Sequence, residues 1–101
     1  MIKEVNGLSE LNEVINNNKK VLVDIWAPWC GPCKMLSPLV DQVSNEVSDL
    51  TVVKVNIDDN EEVALRYDVE AIPTLLIFDS GKLLNKNVGF VSKDKILNMV
   101  K

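Results

Sequence analysis

The two cysteines are the only thiols of the chain, and they stand three positions apart in the stretch WCGPCK at residues 29–34. If a helix begins near Cys30, Pro32 lies in its first turn, where the missing N–H breaks no hydrogen bond. Cys30 and Cys33 then share one face of the helix, with their Cα atoms roughly 5 Å apart. That separation lies within the range that a disulfide requires. The spacing therefore predicts two sulfur atoms that can form and break a disulfide bond.

Thiol–disulfide exchange is the chemistry that such a pair can carry out. At a helix N-terminus, unpaired N–H groups and the helix dipole favour an anion by roughly 0.3–1 kcal/mol, so we expect Cys30 to be the reactive thiolate. Cys30 attacks a substrate disulfide and forms a mixed disulfide, and Cys33 then attacks Cys30 and releases the reduced substrate. Because the two thiols are neighbours, the second step is effectively unimolecular.

Three other interpretations of the cysteine pair compete with redox exchange. A structural disulfide would contribute only about 2 kcal/mol, since the loop that it closes is very short, and a reducing cytosol would open it. Two incidental buried thiols are the second alternative. A metal site is the third, but the chain has no histidine, and two cysteines cannot complete a tetrahedral zinc site without carboxylates or a second chain. We therefore predict redox exchange, with no metal and no bound cofactor.

The composition bounds the class of protein. The 101 residues are enough for a single domain, residues 1–101, and 47% hydrophobic with 26% charged residues is typical of a globular protein. A net charge of −4 without a basic cluster argues against nucleic acid and membrane partners, so we expect protein partners and a monomer. The first residues, MIKEVNG, lack the apolar segment of a secretory signal, so we expect a cytoplasmic location.

The elements that must position the cysteines are a strand before them and a helix after them. Residues 21–27 are apolar on both alternating faces, as in a buried central strand. An apolar stripe at residues 36–47 predicts a long helix that begins near the cysteines and contains Pro38, which we expect to kink it. A first helix, with apolar spacing at residues 8–15 and Ser9 as a possible cap, precedes the strand.

A second strand and a short helix follow. Residues 51–57 are rich in β-branched side chains and predict a buried strand. Asp59 with Glu62 resembles a capping pair that opens a short helix through Tyr67. The order to this point is β-α-β-α, which implies parallel strands with right-handed crossovers.

A hairpin and a helix end the chain. Residues 74–78 and 83–88 predict strands joined by the turn 79–82, and Ser92 is expected to cap a last amphipathic helix. The hairpin adds antiparallel pairing, and strands that are apolar on both faces need helices on both sides. We therefore predict an α/β fold, a three-layer α/β/α sandwich around a mixed sheet.

The segment WAPWCGPCK at residues 26–34 resembles the active-site signature of the thioredoxin family. The similarity extends over essentially the whole chain, through the segments 23–25, 55–58, 72–74 and 88–89 and through Pro38. Two departures, Ile25 where phenylalanine is usual and Glu70-Ala71 where a glycine is usual, bear on partner preference rather than on chemistry. The resemblance implies the thioredoxin fold, with a central mixed five-stranded sheet flanked by four helices.

The resemblance also implies a general protein-disulfide reductase. Gly31 and Pro32 between the cysteines separate this chain from glutaredoxin-like and disulfide-forming relatives. The implied electron donor is thioredoxin reductase, an NADPH-dependent flavoenzyme, and the implied clients are disulfide-bearing proteins such as ribonucleotide, methionine-sulfoxide or peroxide reductases. Two alternatives stay open: a redox-independent protein-binding module of the same fold, and an oxidase or isomerase in an oxidising compartment.

Two charged residues interrupt the apolar strands. Asp24 is a carboxylate in the central strand, where burial is expected to raise its pKa. By resemblance it is the buried acid that takes the Cys33 proton, and a structural, hydrogen-bonded aspartate is the alternative. Lys54 lies in the neighbouring strand and could pair with Asp24 or extend to solvent.

A docking surface for clients is implied by the resemblance as well. Its Ile72–Pro73 bond is expected to be cis and to face the cysteines, so that the Ile72 backbone can pair with a client strand. The predicted surface beside Cys30 is shallow and largely apolar, and consists of Trp29, Gly31, Pro32, Ile72, Val88 and Gly89. Pro73 is assigned to substrate binding as well. Each of these could also be an ordinary core or turn residue. Trp26, on the same strand face as Asp24, is predicted to pack.

Overall fold

The computed structural model describes residues 2–101. Strands and helices alternate in the first two thirds of the chain, and a hairpin and a helix complete it. In chain order the elements are β1 Ile2–Glu4, α1 Leu8–Asn17, β2 Lys20–Trp26, α2 Gly31–Glu46, β3 Leu50–Asn56, α3 Glu61–Arg66, β4 Thr74–Asp79, β5 Lys82–Val88 and α4 Lys93–Val100. A 3-10 turn, Ile57–Asp59, lies between β3 and α3.

The five strands form one mixed sheet in the order β1-β3-β2-β4-β5. Strands β1 and β2 run parallel to β3, whereas β4 is antiparallel to β2 and β5 is antiparallel to β4. The mixed five-stranded sheet and the four α-helices confirm the predicted thioredoxin fold. Strand β1 is an addition to the strands that the hydrophobic pattern placed, because its three residues are all exposed at the sheet edge.

The core lies in two layers, one on each face of the sheet. The layer under α1 and α3 contains Leu11, Val14, Ile15, Val23, Ile25, Val55 and Val63. The layer under α2 and α4 contains Leu22, Leu36, Val40, Val43, Leu75, Ile96 and Val100. Neighbouring residues of β2 belong to opposite layers, which confirms a central strand buried on both faces and the three-layer architecture.

Helix α2 begins where the cysteine spacing predicted. Cys30 is its N-cap residue and Pro32 lies in its first turn. Leu36 and Val40 are fully buried against the sheet, so the helix is anchored within about one turn of the cysteines. Pro38 lies inside the helix, and the kink expected there stays a prediction.

The predicted cap of α1 is wrong. The helix begins at Leu8, so Ser9 lies inside it, and the N-cap residue is Gly7, which offers no side chain. The cap comes from a distant segment instead. The backbone N–H of Gly7 donates to Asn60 Oδ1 at 2.6 Å, and that of Leu8 donates to Glu62 Oε1 at 2.9 Å. A pattern of neighbouring residues cannot indicate a cap supplied from more than fifty residues away.

The predicted capping pair of α3 is also wrong. Asp59 belongs to the 3-10 turn, and Asn60 is the N-cap residue of α3, without a side-chain capping bond. The Glu62 carboxylate accepts from α1 rather than from the start of its own helix. By contrast, the cap of α4 is confirmed, because the Ser92 hydroxyl accepts the backbone N–H of Lys95 at 3.2 Å.

Candidate active site

The cysteine pair sits at the N-terminus of α2, as the spacing predicted. Cys30 and Cys33 form a disulfide, with their Cα atoms 5.3 Å apart. Both residues are buried, and Cys30 Sγ accepts the backbone N–H of Cys33 at 3.2 Å. If reduction leaves the start of α2 in place, this N–H would stabilise a Cys30 thiolate.

Asp24 is buried in the middle of β2 and lines the same cavity as Cys33. It is 2% exposed, and its Oδ1 has no hydrogen-bond partner in the described part of the chain. Burial raises the pKa of Asp24 from its ordinary value of 3.8 to about 6. The positive charge of Lys54 opposes this rise, and the negative charges of Glu4 and Asp41 add to it. Desolvation therefore outweighs the attraction of Lys54 for the Asp24 anion.

Lys54 neither pairs with Asp24 nor extends to solvent, the two possibilities predicted for it. In residues 2–101 it forms no ion pair with Asp24, and its side chain is only 14% exposed. Its ammonium group instead donates to Ser37 Oγ at 2.7 Å and to Asp41 Oδ1 at 3.1 Å, both on α2. Lys54 bonds there because α2 packs over this part of β3 and brings the side-chain oxygens of Ser37 and Asp41 within reach of its ammonium group.

A cavity of about 400 Å³ connects these groups. Its walls come from β1, β2, β3 and the first turns of α2, and are formed by Glu4, Asp24, Trp26, Ala27, Pro28, Cys33, Lys34, Ser37 and Lys54. Asp24 and the resolving cysteine candidate, Cys33, thus line one space. The cavity is large enough for several water molecules, since each occupies about 30 Å³ in the liquid.

The cis peptide bond implied by the resemblance is present between Ile72 and Pro73. The Ile72 carbonyl oxygen lies 3.9 Å from Cys30 Sγ, so this segment borders the disulfide directly. Gly89 donates its backbone N–H to the Pro73 carbonyl oxygen at 2.8 Å. The structure therefore brings Ile72, Pro73 and Gly89 together beside Cys30.

The rest of the predicted docking surface is exposed, as a contact site requires. Trp29 is 67% exposed and Val88 57% exposed, and Gly31 and Pro32 are exposed at the start of α2. Pro73 differs, because it is buried, so it borders the site without adding much accessible surface.

Trp29 is held by an acid that the sequence analysis gave no role. Its indole Nε1–H donates to both carboxylate oxygens of Asp58, at 3.1 and 3.0 Å. The sequence did carry a signal for Asp58. Trp29 follows β2 and Asp58 follows the parallel strand β3, and the carboxyl ends of neighbouring parallel strands lie at the same edge of a sheet. Ser37 and Asp41 were missed too, although their i, i+4 spacing puts them on one face of α2.

Trp26 packs, as predicted. It is partly buried against the small cluster of Ala27, Cys30 and Cys33. Its indole Nε1–H donates to Glu4 Oε1 at 3.2 Å, which ties β1 to the wall of the cavity.

Residues 2–101 contain no group of three or more cysteine and acidic side chains arranged to hold a metal ion. No helix in the same range has the length and apolar character needed to cross a membrane.

Comparison with known proteins gives a consistent match. The thioredoxin family model matches residues 3–101. A thioredoxin from Pyropia yezoensis is 48% identical over 96 residues, covering 94% of this chain and 90% of that protein. A thioredoxin from Mycoplasma genitalium is 39% identical over 99 residues, covering 98% of this chain and 97% of that protein.

Solved structures agree. A mutant thioredoxin from Halobacterium salinarum superimposes with a TM-score of 0.93 at 35% identity, covering 98% of this chain and 87% of that one. Oxidised mitochondrial thioredoxin 3 of Saccharomyces cerevisiae gives a TM-score of 0.91 at 29% identity, covering 98% and 92%. With its Cys30–Cys33 disulfide at the start of α2, the chain belongs to the thioredoxin family and is a protein-disulfide oxidoreductase.

Proposed function

We propose that Cys30 is the nucleophile of this disulfide reductase, Cys33 the resolving thiol and Asp24 the proton acceptor. The Cys30 thiolate attacks one sulfur of a client disulfide, which breaks that bond and releases one client thiolate. Cys33 then attacks Cys30 Sγ, which forms the Cys30–Cys33 disulfide and releases the second client thiolate. Two electrons pass to the client, and the Cys33 proton passes to Asp24.

The observation that carries this proposal is the buried Asp24 carboxyl group, whose Oδ1 has no partner among residues 2–101, in the cavity that Cys33 also lines. A general base works best when its pKa lies near the operating pH, and burial brings that of Asp24 to about 6. At neutral pH it is then mostly ionised and can accept a proton. The cavity allows the transfer to pass through water.

The docking surface beside Cys30 is proposed to bind a client strand. The Ile72 carbonyl group borders the disulfide, and extended peptides commonly add to exposed backbone in this way. Exposed Trp29 and Val88 would contact the client side chains on either side. We propose thioredoxin reductase, an NADPH-dependent flavoenzyme, as the electron donor, which the family resemblance implies, and the cytoplasm as the compartment.

A trapping experiment tests the order of the two cysteines. In a Cys33→Ser variant the mixed disulfide on Cys30 cannot be resolved, so covalent adducts with disulfide-bearing proteins are expected to accumulate. They are measured as bands on non-reducing gels that disappear with dithiothreitol. The matched Cys30→Ser variant is expected to form few adducts. Equal trapping by both variants, or by neither, would contradict the assigned roles.

A further inference from the structure

Lys54 stands where a partner for Asp24 would be expected. The two residues are register partners on the neighbouring parallel strands β2 and β3, so their side chains leave the sheet on the same face. The Asp24 Oδ1 is buried and has no hydrogen-bond partner among residues 2–101, and the positive charge of Lys54 lowers the energy of the Asp24 anion. The lysine nevertheless bonds to α2.

We propose that Ser37 and Asp41 are positioning residues that hold the Lys54 ammonium group on α2 and so prevent it from pairing with Asp24. The inference rests on the proposed role of Asp24 as proton acceptor. A carboxylate paired with a lysine is a weak base, because the ion pair is lost when the proton arrives. Held on α2 by Ser37 and Asp41, the same lysine attracts the Asp24 anion through its charge without forming a direct bond.

All the charged and titratable groups around the carboxyl group enter this balance. Lys54 acts on Asp24 from β3, Glu4 from β1 and Asp41 from α2. Lys34 and the disulfide-bonded Cys33, which does not titrate in the oxidised protein, line the same cavity from α2. Glu4 and Asp41 both raise the pKa of Asp24 through repulsion. Asp41 therefore acts in two ways: directly as a negative charge, and indirectly by holding Lys54.

Carboxyl-carbon NMR titration of the oxidised protein tests the proposal. Replacing both anchors, Ser37→Ala with Asp41→Asn, releases the ammonium group to pair with Asp24. Opposite charges at contact distance lower a carboxyl pKa by about one unit or more, so the proton affinity of Asp24 should fall about tenfold. Ser37→Ala alone removes no charge, and we expect it to shift the titration in the same direction by a smaller amount.

The control is the same pair of substitutions in a Lys54→Met background. There only the direct charge of Asp41 is lost, so the drop in Asp24 proton affinity should be several-fold smaller. Ser48→Ala, on an exposed loop, should leave the titration unchanged. The proposal is overturned if Ser37→Ala has no effect, or if the double substitution acts equally with and without Lys54.

Turnover separates this inference from the proposed function. If the Asp24 titration shifts as expected and the pH profile of disulfide reduction shifts with it, both stand. If the titration shifts and the profile does not, the positioning role of Ser37 and Asp41 stands and the proton-acceptor role of Asp24 fails. Amide spectra of each variant establish that the titration is measured on folded protein.

Discussion

The pKa of Asp24 differs between the folded and unfolded chain, so the stability of the protein depends on pH. Folding raises this pKa from 3.8 to about 6. Below pH 3.8 the group is protonated in both states and costs nothing. Above pH 6 it is ionised in both, and the folded state carries the net penalty of burying the charge among these neighbours, about two pKa units or about 3 kcal/mol.

We therefore expect Asp24→Asn to stabilise the oxidised protein by up to about 3 kcal/mol at pH 8, because the variant buries no charge there. The gain should shrink as the pH falls from about 6 to 3.8 and be absent at pH 3.5. Guanidinium unfolding of both proteins at several pH values measures it. Asp49→Asn, which removes an exposed charge, is the control. A gain that is the same at pH 3.5 and pH 8 would show that the buried charge is not its cause.

The site was predictable where its signal is local. The spacing of Cys30 and Cys33 fixes their geometry once a helix starts there, and Asp24 stands out because its strand is otherwise apolar. The partner of Lys54 was not predictable, because Ser37 and Asp41 reach it only through the crossing of α2 over β3. The Trp29–Asp58 contact likewise joins two segments that are close only in the folded sheet.

At the scale of the elements, the helix cap formed by a neighbouring residue was predicted correctly, and the caps that depend on distant residues were predicted wrongly. Ser92 caps α4 through a bond within four residues, which a sequence pattern detects. The start of α1 is capped by Asn60 and Glu62, which lie beyond the second crossover. The hydrophobic pattern missed strand β1 for a related reason: the strand has no buried residue, and it exists because β3 offers a free edge for pairing. The fifth strand was implied only by the family resemblance.

Two serines provide a direct test of these caps. Ser92→Ala removes the acceptor for the Lys95 N–H and should lower the free energy of unfolding by about 1 kcal/mol. Ser9→Ala should leave it unchanged or raise it slightly, because Ser9 lies inside α1, where alanine is the better helix former. Urea unfolding of the two variants under identical conditions makes the comparison. If Ser9→Ala lowers the free energy of unfolding as much as Ser92→Ala does, then Ser9 caps α1 locally, as the sequence pattern suggested.

At the scale of the whole molecule, the two core layers differ in how they affect the active site. Both bury the sheet, so both contribute to stability. Only the layer under α2 and α4 fixes the position of the cysteines relative to Asp24. Helix α2 carries the cysteines at its start and packs on the sheet through that layer. The layer under α1 and α3 lies on the opposite face of the sheet.

Matched truncations in the two layers should therefore have similar effects on stability and different effects on catalysis. Leu36 of α2 and Leu11 of α1 are both fully buried, so each Leu→Ala change should remove about 2–5 kcal/mol. Leu36→Ala leaves a cavity one turn from Cys33 and allows the start of α2 to shift. Since displacements of about 1 Å can slow a positioned reaction by up to 10²-fold, we expect it to lower kcat/KM for a peptide disulfide by about tenfold or more.

Leu11→Ala should lower kcat/KM by less than about twofold, once the rate is corrected for the folded fraction, because the cavity lies on the far face of the sheet from Cys33. Measurement at 10 °C, with Leu→Val at each position as a milder pair, keeps the comparison on folded protein. Equal losses of activity in the two layers would mean that the sheet transmits the disturbance, and that the position of α2 depends on the whole core rather than on its own contacts.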